Sequence, residues 1–224
     1  MVKKKVSLLE FENNVNIGLY MFVNDKFCLI GQEVSEEKQK QIKDILNVPV
    51  YKVSVLSTEL LGVFISGNND FILVPELNKY EFEKLEEITK KHDVKLIQLT
   101  NKLNTFGNNI CVGEDEILIN DEYSEKFILN LEKETKLKII KLSHEMYRSA
   151  GAICRFVNSK YFISQELDEE DVKEILDKVA GVGTVNAGSN FVASGIIGNK
   201  FGLLLGSMST SIEIQNIVED LDYL

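Results

Sequence analysis

Three cysteines and two histidines are the first candidates in this 224-residue chain for nucleophilic or metal chemistry. Cys28, Cys111 and Cys154 are odd in number, far apart and without C-x-x-C spacing, which argues against both a disulfide framework and a zinc site. Each falls in a predicted strand, where a free cysteine reads as a small buried hydrophobe in a reducing compartment. His92 and His144 fall near a helix end and after a strand, so only folding could bring either to a cysteine as its general base. Both are expected to be surface or hydrogen-bonded side chains. Gly181-x-Gly183, with Gly188 beyond it, invites a phosphate-cradling reading, but a dinucleotide fingerprint needs a strand before it and a helix after it. Here a helix is predicted before and a strand after, and no G-K-[ST] triplet follows. Turns at a junction are expected instead, with no cofactor and no metal.

Charge narrows the partner class. The net charge is −10, and from Ser164 onward eleven acidic residues face only Lys173, Lys178 and Lys200. Such a surface does not wrap a phosphate backbone, whose binding is driven by Lys and Arg. Direct contact with nucleic acid is expected to be limited, and a nucleic-acid-bearing partner would be met mainly through a basic protein component. The basic start Met1-Val2-Lys3-Lys4-Lys5 is not followed by the apolar run of a signal peptide, and no stretch approaches a membrane span. A cytosolic protein without a membrane partner is expected.

The elements that must position these residues are repeated. The segment from Gly181 to Gly206 holds seven of the fourteen glycines. Within it, Phe191–Ile197 and Phe201–Leu205 read as strands joined by the turn Gly198-Asn199-Lys200. The same unit recurs upstream as Ile17–Val23 with Phe27–Ile30, Leu61–Ser66 with Phe71–Val74, Asn109–Val112 with Ile117–Ile119, and Ala152–Val157 with Tyr161–Ile163. Gly18, Gly62, Gly107, Gly151 and Gly195 stand near the first strands at spacings of 44, 45, 44 and 44. Helices are predicted after each hairpin at Ser35–Leu46, from Asn78, at Ser124–Glu134, Asp168–Val179 and Ser211–Leu221, with capping-box patterns at Asn78/Glu81 and Thr210/Glu213. Returning strands follow at Val50–Leu56, Val94–Leu99, Lys138–Leu142 and Gly183–Asn186. The fifth unit lacks its returning strand, and Lys5–Phe11 is a strand with no helix of its own. If Lys5–Phe11 completes the fifth unit, the chain closes into an α/β ring. One domain of five repeats is expected, at 15–58, 59–103, 104–147, 148–190, and 191–224 completed by 1–14.

Phe11-Glu12-Asn13-Asn14, Gly18, Gly62, Gly67-Asn68, Val74-Pro75, Asn104-Thr105-Phe106-Gly107-Asn108 and Gly183-Thr184-Val185-Asn186-Ala187-Gly188-Ser189 together resemble the translation initiation factor 6 family. The resemblance runs along the whole chain and, with no long tail beyond Leu221, is to the archaeal type. It implies the pentein fold, a closed pseudo-fivefold α–β propeller of strand-strand-helix-strand repeats. It also implies a monomeric, non-enzymatic factor that binds the large ribosomal subunit and prevents joining of the small one. The implied contact is chiefly with a ribosomal protein beside the sarcin–ricin loop, and the residues carried over to it are Gly107, Asn108, Asn186, Gly188 and Ser189. Ala187 stands where the family usually has arginine. Pentein folds also include guanidine-modifying enzymes with a nucleophilic Cys and a His base, which is the rival expectation. A small-ligand carrier using the central cavity is another.

Overall fold

A computed structural model describes residues 4–143, 148–167, 176 and 178–224. After β1 (Lys5–Leu9), the first repeat runs as a 3-10 turn (Ile17–Leu19), β2 (Met21–Val23), β3 (Cys28–Ile30), α1 (Glu36–Leu46) and β4 (Val50–Lys52). The second comprises α2 (Leu61–Phe64), β5 (Ser66–Gly67), β6 (Phe71–Val74), α3 (Lys79–Lys91) and β7 (Lys95–Gln98). The third comprises α4 (Phe106–Asn109), β8 (Ile110–Val112), β9 (Glu116–Asn120), α5 (Glu125–Thr135) and β10 (Lys138–Leu142). The fourth shows α6 (Ala150–Ile153), β11 (Cys154–Val157), β12 (Lys160–Ser164) and β13 (Val179–Gly183). The fifth shows α7 (Val192–Gly195), β14 (Ile196–Asn199), β15 (Gly202–Gly206) and α8 (Ser211–Asp220).

Every repeat makes one three-stranded sheet whose middle strand is antiparallel to its hairpin partner and parallel to the strand returning from the helix. In the fifth sheet that returning strand is β1, parallel to β15, with Lys5 opposite Gly202 and Leu9 opposite Gly206. The unclaimed N-terminal strand thus fills the expected vacancy.

The core lies between repeats and not inside them. One buried cluster joins Phe27, Leu29 and Val55 of the first repeat to Leu61, Ile72 and Leu85 of the second. The next joins Leu73 and Ile97 to Phe106, Ile117 and Leu131, and the last joins Leu204 and Leu9 to Ile17, Ile30 and Ile42. A single repeat leaves half of its apolar surface uncovered, so the units are stable only when stacked. The turns between paired strands add a second inter-repeat bond. The Asn24 side-chain oxygen accepts from the backbone N–H of Lys26 and Phe27, while its amide donates to the Asn68 carbonyl at 3.0 Å. Asn68 repeats this, donating to the Gly113 carbonyl, and Asn199 donates to the carbonyls of Asn24 and Leu46.

Helix starts follow the expected chemistry. Ser35, Asn78, Ser124 and Thr210 each accept a backbone N–H from three residues on. Thr210 and Glu213 form the full reciprocal capping box. Asn78 and Glu81 do not: the Glu81 carboxylate takes the Asn78 side-chain amide and the Ser57 N–H instead of the Asn78 backbone.

Several strand assignments are corrected. The stretches 17–19, 61–64, 150–153 and 192–195 are helical turns leading into the first strands, because short apolar runs carry no period that separates helix from strand. The first hairpin strand of the fifth repeat extends through Gly198 and Asn199, so its turn is Lys200-Phe201. The strand from Val50 stops at Lys52, and Leu56 and Ser57 adopt left-handed φ of 52° and 58°. The returning strand of the fourth repeat is Val179–Gly183, not Gly183–Asn186. Gly181 and Gly183 therefore lie inside a strand. The helix expected at Asp168–Val179 lies mostly outside the described residues, and Val179 itself is in β13.

Candidate functional site at the mouth of an axial channel

The five helical turns meet around the axis at backbone distance. A β-carbon added at Gly62 would lie 1.7 Å from the Gly18 carbonyl oxygen, one at Gly107 1.9 Å from that of Gly62, and one at Gly151 2.1 Å from that of Gly107. The circle closes because a β-carbon at Gly18 would lie 2.0 Å from the carbonyl oxygen of Ala193. The fifth member of this ring is therefore Ala193 and not Gly195, because the fifth turn begins closer to its predecessor than the even spacing implies. Glycine is required here by close approach of one backbone to the next.

The ring opens on a vestibule of about 370 Å³. Gly107, Asn108 and Ser189 line it together with Asn16, Ser149, Ser194 and Arg155. Three of the five expected site residues thus meet at one mouth. Asn108 is half-buried, and its side chain has no hydrogen-bond partner among the described residues, whereas the neighbouring Asn109 amide is spent on Thr105 and Asn120. The Ser189 hydroxyl accepts the Phe191 N–H at 3.3 Å.

Asn186 and Gly188 stand apart from the vestibule in a tight turn closed by the Val185–Ser189 bridge. Asn186, at φ 52°, turns its amide inward to the Val15 carbonyl at 3.1 Å. Gly188 has φ of 100° and open space on every side, so it is the one position of the five where backbone handedness demands glycine. Ala187 is left-handed too, at φ 61°, a costly conformation for a residue with a β-carbon.

Glu213 stabilises that turn. Its carboxylate accepts from the Ala187 N–H at 3.0 Å, Gly188 N–H at 2.8 Å, Thr210 N–H at 2.7 Å and the Thr184 hydroxyl at 2.7 Å. Burial alone would raise its pKa, but the bonds from Thr210, Thr184, Gly188 and Ala187 outweigh burial and hold it at about 2. The folded pKa is depressed, so the stabilisation is complete above the unfolded value and is lost as pH falls from about 4.5 towards 2. Glu213→Gln should cost on the order of 2 kcal/mol at pH 7 and flatten the acid limb of the stability profile. Urea melts of both proteins between about pH 2 and 7 measure this. Parallel acid limbs would show that the carboxylate is not what holds the turn.

Among the described residues, no cysteine is paired with a histidine as the rival enzymatic reading requires. Cys28, Cys111 and Cys154 are all buried in strands as expected, and burial raises each thiol pKa, that of Cys111 to about 12. None is a thiolate at neutral pH. His92 caps α3 and pairs with the Tyr51 hydroxyl at 2.8 Å beside the Phe27 ring, with its pKa lowered by burial and by Lys91 and Lys26. His144 lies outside the described residues. Among the described residues no cluster of His, Cys, Asp and Glu could hold a metal, and no helix is long and apolar enough to cross a membrane.

Comparison with known proteins fits this geometry. A crystal structure of a dimethylarginine dimethylaminohydrolase, in adduct with S-methyl-L-thiocitrulline, superposes with a TM-score of 0.52 at 13% identity, covering 80% of this chain and 69% of that one. At that identity the likeness shows the fold alone, which is the pentein fold. Among sequences, translation initiation factor 6 of Picrophilus torridus is 28% identical over 97% of this chain and 99% of its own length. Its counterparts in Thermococcus onnurineus and Saccharolobus islandicus are 27% identical over 98% and 31% identical over 90% of this chain. The sequence profile of the eIF-6 family matches residues 6–220, from the strand that closes the ring to the last helix, and the chain therefore belongs to the eIF-6 family.

Proposed function

We propose that this protein binds the large ribosomal subunit and keeps the small subunit from joining it prematurely, acting in translation initiation and subunit maturation without catalysis. The observation that carries this reading is the family match across residues 6–220, with archaeal relatives named translation initiation factor 6 along their whole length. The five repeats act as one monomeric domain in the cytoplasm. The docking face is the ring mouth with Gly107, Asn108 and Ser189, flanked by the exposed tip at Ala187-Gly188 that Asn186 anchors from inside. Its partner is chiefly a ribosomal protein beside the sarcin–ricin loop, because a chain of net charge −10 makes a poor wrap for rRNA itself.

Cosedimentation of the purified protein with archaeal large subunits tests the reading. Binding that also blocks association with small subunits is the expected result, and failure to cosediment overturns it. Asn108→Ala should weaken the binding by about tenfold or more and leave the melting temperature nearly unchanged, since the amide is free within the fold and worth about 1–3 kcal/mol when buried against a partner. A stability loss with intact binding would make Asn108 a turn residue. Incubation with arginine, agmatine or methylated arginine should release no urea, ammonia or citrulline. Turnover abolished by a cysteine-to-serine change would restore the guanidine-enzyme reading.

A further inference from the structure

The channel below the ring mouth carries a charge with no ion-pair partner among the described residues. Counting four residues on from Gly18, Gly62, Gly107, Gly151 and Ala193 reaches Phe22, Ser66, Cys111, Arg155 and Ile197. Phe22, Ser66, Cys111 and Arg155 of these line the constriction below the mouth, and Arg155 is the one charged side chain among them. Arg155 lines both the vestibule and the constriction of about 40 Å³ next to it, so its side chain sits where the two meet. Its Nε is shut off from solvent and has no hydrogen-bond partner, and no carboxylate pairs with it among the described residues. Burial lowers the guanidinium pKa from its ordinary value, the mark of a charge the surroundings do not compensate. Arginine remains charged at any physiological pH, so the cost of this burial falls on the fold until an anion meets it.

The vestibule is built to accept one. On a chain with 35 acidic residues, no described Asp or Glu lines it. Its polar side chains include the amides of Asn16 and Asn108 and the hydroxyls of Ser149 and Ser189, groups that can donate hydrogen bonds without adding negative charge, while the Ser194 hydroxyl is already spent on Asn16 and the Phe191 carbonyl. Its volume of about 370 Å³ lies in the range of small-molecule sites. We propose that the vestibule binds the oxyanion group, phosphate or carboxylate, of a small molecule, with Arg155 as its counter-ion. The planar guanidinium suits either group. The binding needs nothing from the ribosome and stands or falls on the isolated protein.

The test uses the full chain at constant ionic strength, with inorganic phosphate, acetate and uncharged glycerol as probes, read by calorimetry and by the Nε–H resonances of the two arginines. Arg155 is assigned by its absence in Arg155→Met. Melting temperature is not the readout, because phosphate stabilises folded proteins without binding them. The expected result is saturable binding of an oxyanion with Kd below about 1 mM, a shifted Arg155 resonance beside an unmoved Arg148, and at least about tenfold weaker binding in Arg155→Met. Saturation by phosphate alone assigns a phosphate group, and saturation by acetate as well assigns a general oxyanion site. Ala152→Glu, which sets a carboxylate into the same vestibule, should lose binding equally and serves if Arg155→Met does not fold. No saturation by phosphate or acetate, or saturation unchanged in these variants, overturns the proposal.

Discussion

Removing residues 1–12 should unfold the entire ring, not fray one end of it. The deletion takes away β1, whose five residues pair in parallel with β15, and Leu9, which is 1% exposed in the cluster joining the fifth repeat to the first. It also removes Phe11, packed edge-on against Tyr20 with ring centroids 5.6 Å apart. Losing a buried leucine costs about 2–5 kcal/mol and each ladder hydrogen bond about 1 kcal/mol, so the sum is roughly 7–10 kcal/mol. That equals the whole stability of an ordinary domain, about 5–15 kcal/mol. Circular dichroism and hydrogen exchange of the truncated chain should show either global unfolding at room temperature or a melting temperature lowered by tens of degrees, with protection lost in all five sheets together. A truncated chain that keeps its melting temperature would refute closure by β1.

Gly62→Ala should be the most damaging single methyl group in the molecule. Its new β-carbon would fall 1.7 Å from the Gly18 carbonyl oxygen and 2.8 Å from that of Met21, and both neighbours are backbone. Neither can rotate away, so two repeats must move apart by more than an ångström while each is held by its own inter-repeat core. The expected cost is at least about 3 kcal/mol, or about 10 °C in a protein of this size. Gly188→Ala is the informative comparison: its β-carbon meets nothing, so only the left-handed φ of 100° is penalised, at about 1–2 kcal/mol. Ala193→Gly, the converse change on the same ring, should cost about 0.5–1 kcal/mol through chain entropy alone. Thermal melts of the three variants rank them. Equal small shifts for Gly62→Ala and Gly188→Ala would mean that the ring of turns is looser than its geometry states.

How much of this could be read before folding depends on the range of the interactions involved. Ser35, Ser124 and Thr210 were legible as helix starts because a cap acts over three residues, and the hairpins were legible because a turn acts over four. The closing role of Lys5–Leu9 was legible by counting, since four complete units and one incomplete unit leave a single strand to supply. The grouping of Gly107, Asn108 and Ser189 was expected only through family resemblance, and their meeting at one mouth depends on repeats three and five standing around a common axis.

What stayed hidden was set between repeats. The helical turn at 61–64 sets Gly62 against the Gly18 carbonyl, 44 residues away in sequence, and a four-residue apolar run holds no trace of that contact. Ala193 replaces the expected Gly195 in the ring for the same reason. The second task of Glu213 was invisible too: the capping box accounts for one carboxylate bond locally, and those to Ala187, Gly188 and Thr184 come from a segment 25 to 29 residues away. Nothing local marks Arg155, and only closure of the ring turned its side of β11 into the wall of a channel. Local chemistry, which is short-ranged, was therefore determined by the sequence itself. The handedness of the turns, the membership of the ring and the charge inside it were decided by packing one repeat on the next, because those energies exist only once the neighbouring backbone is in place.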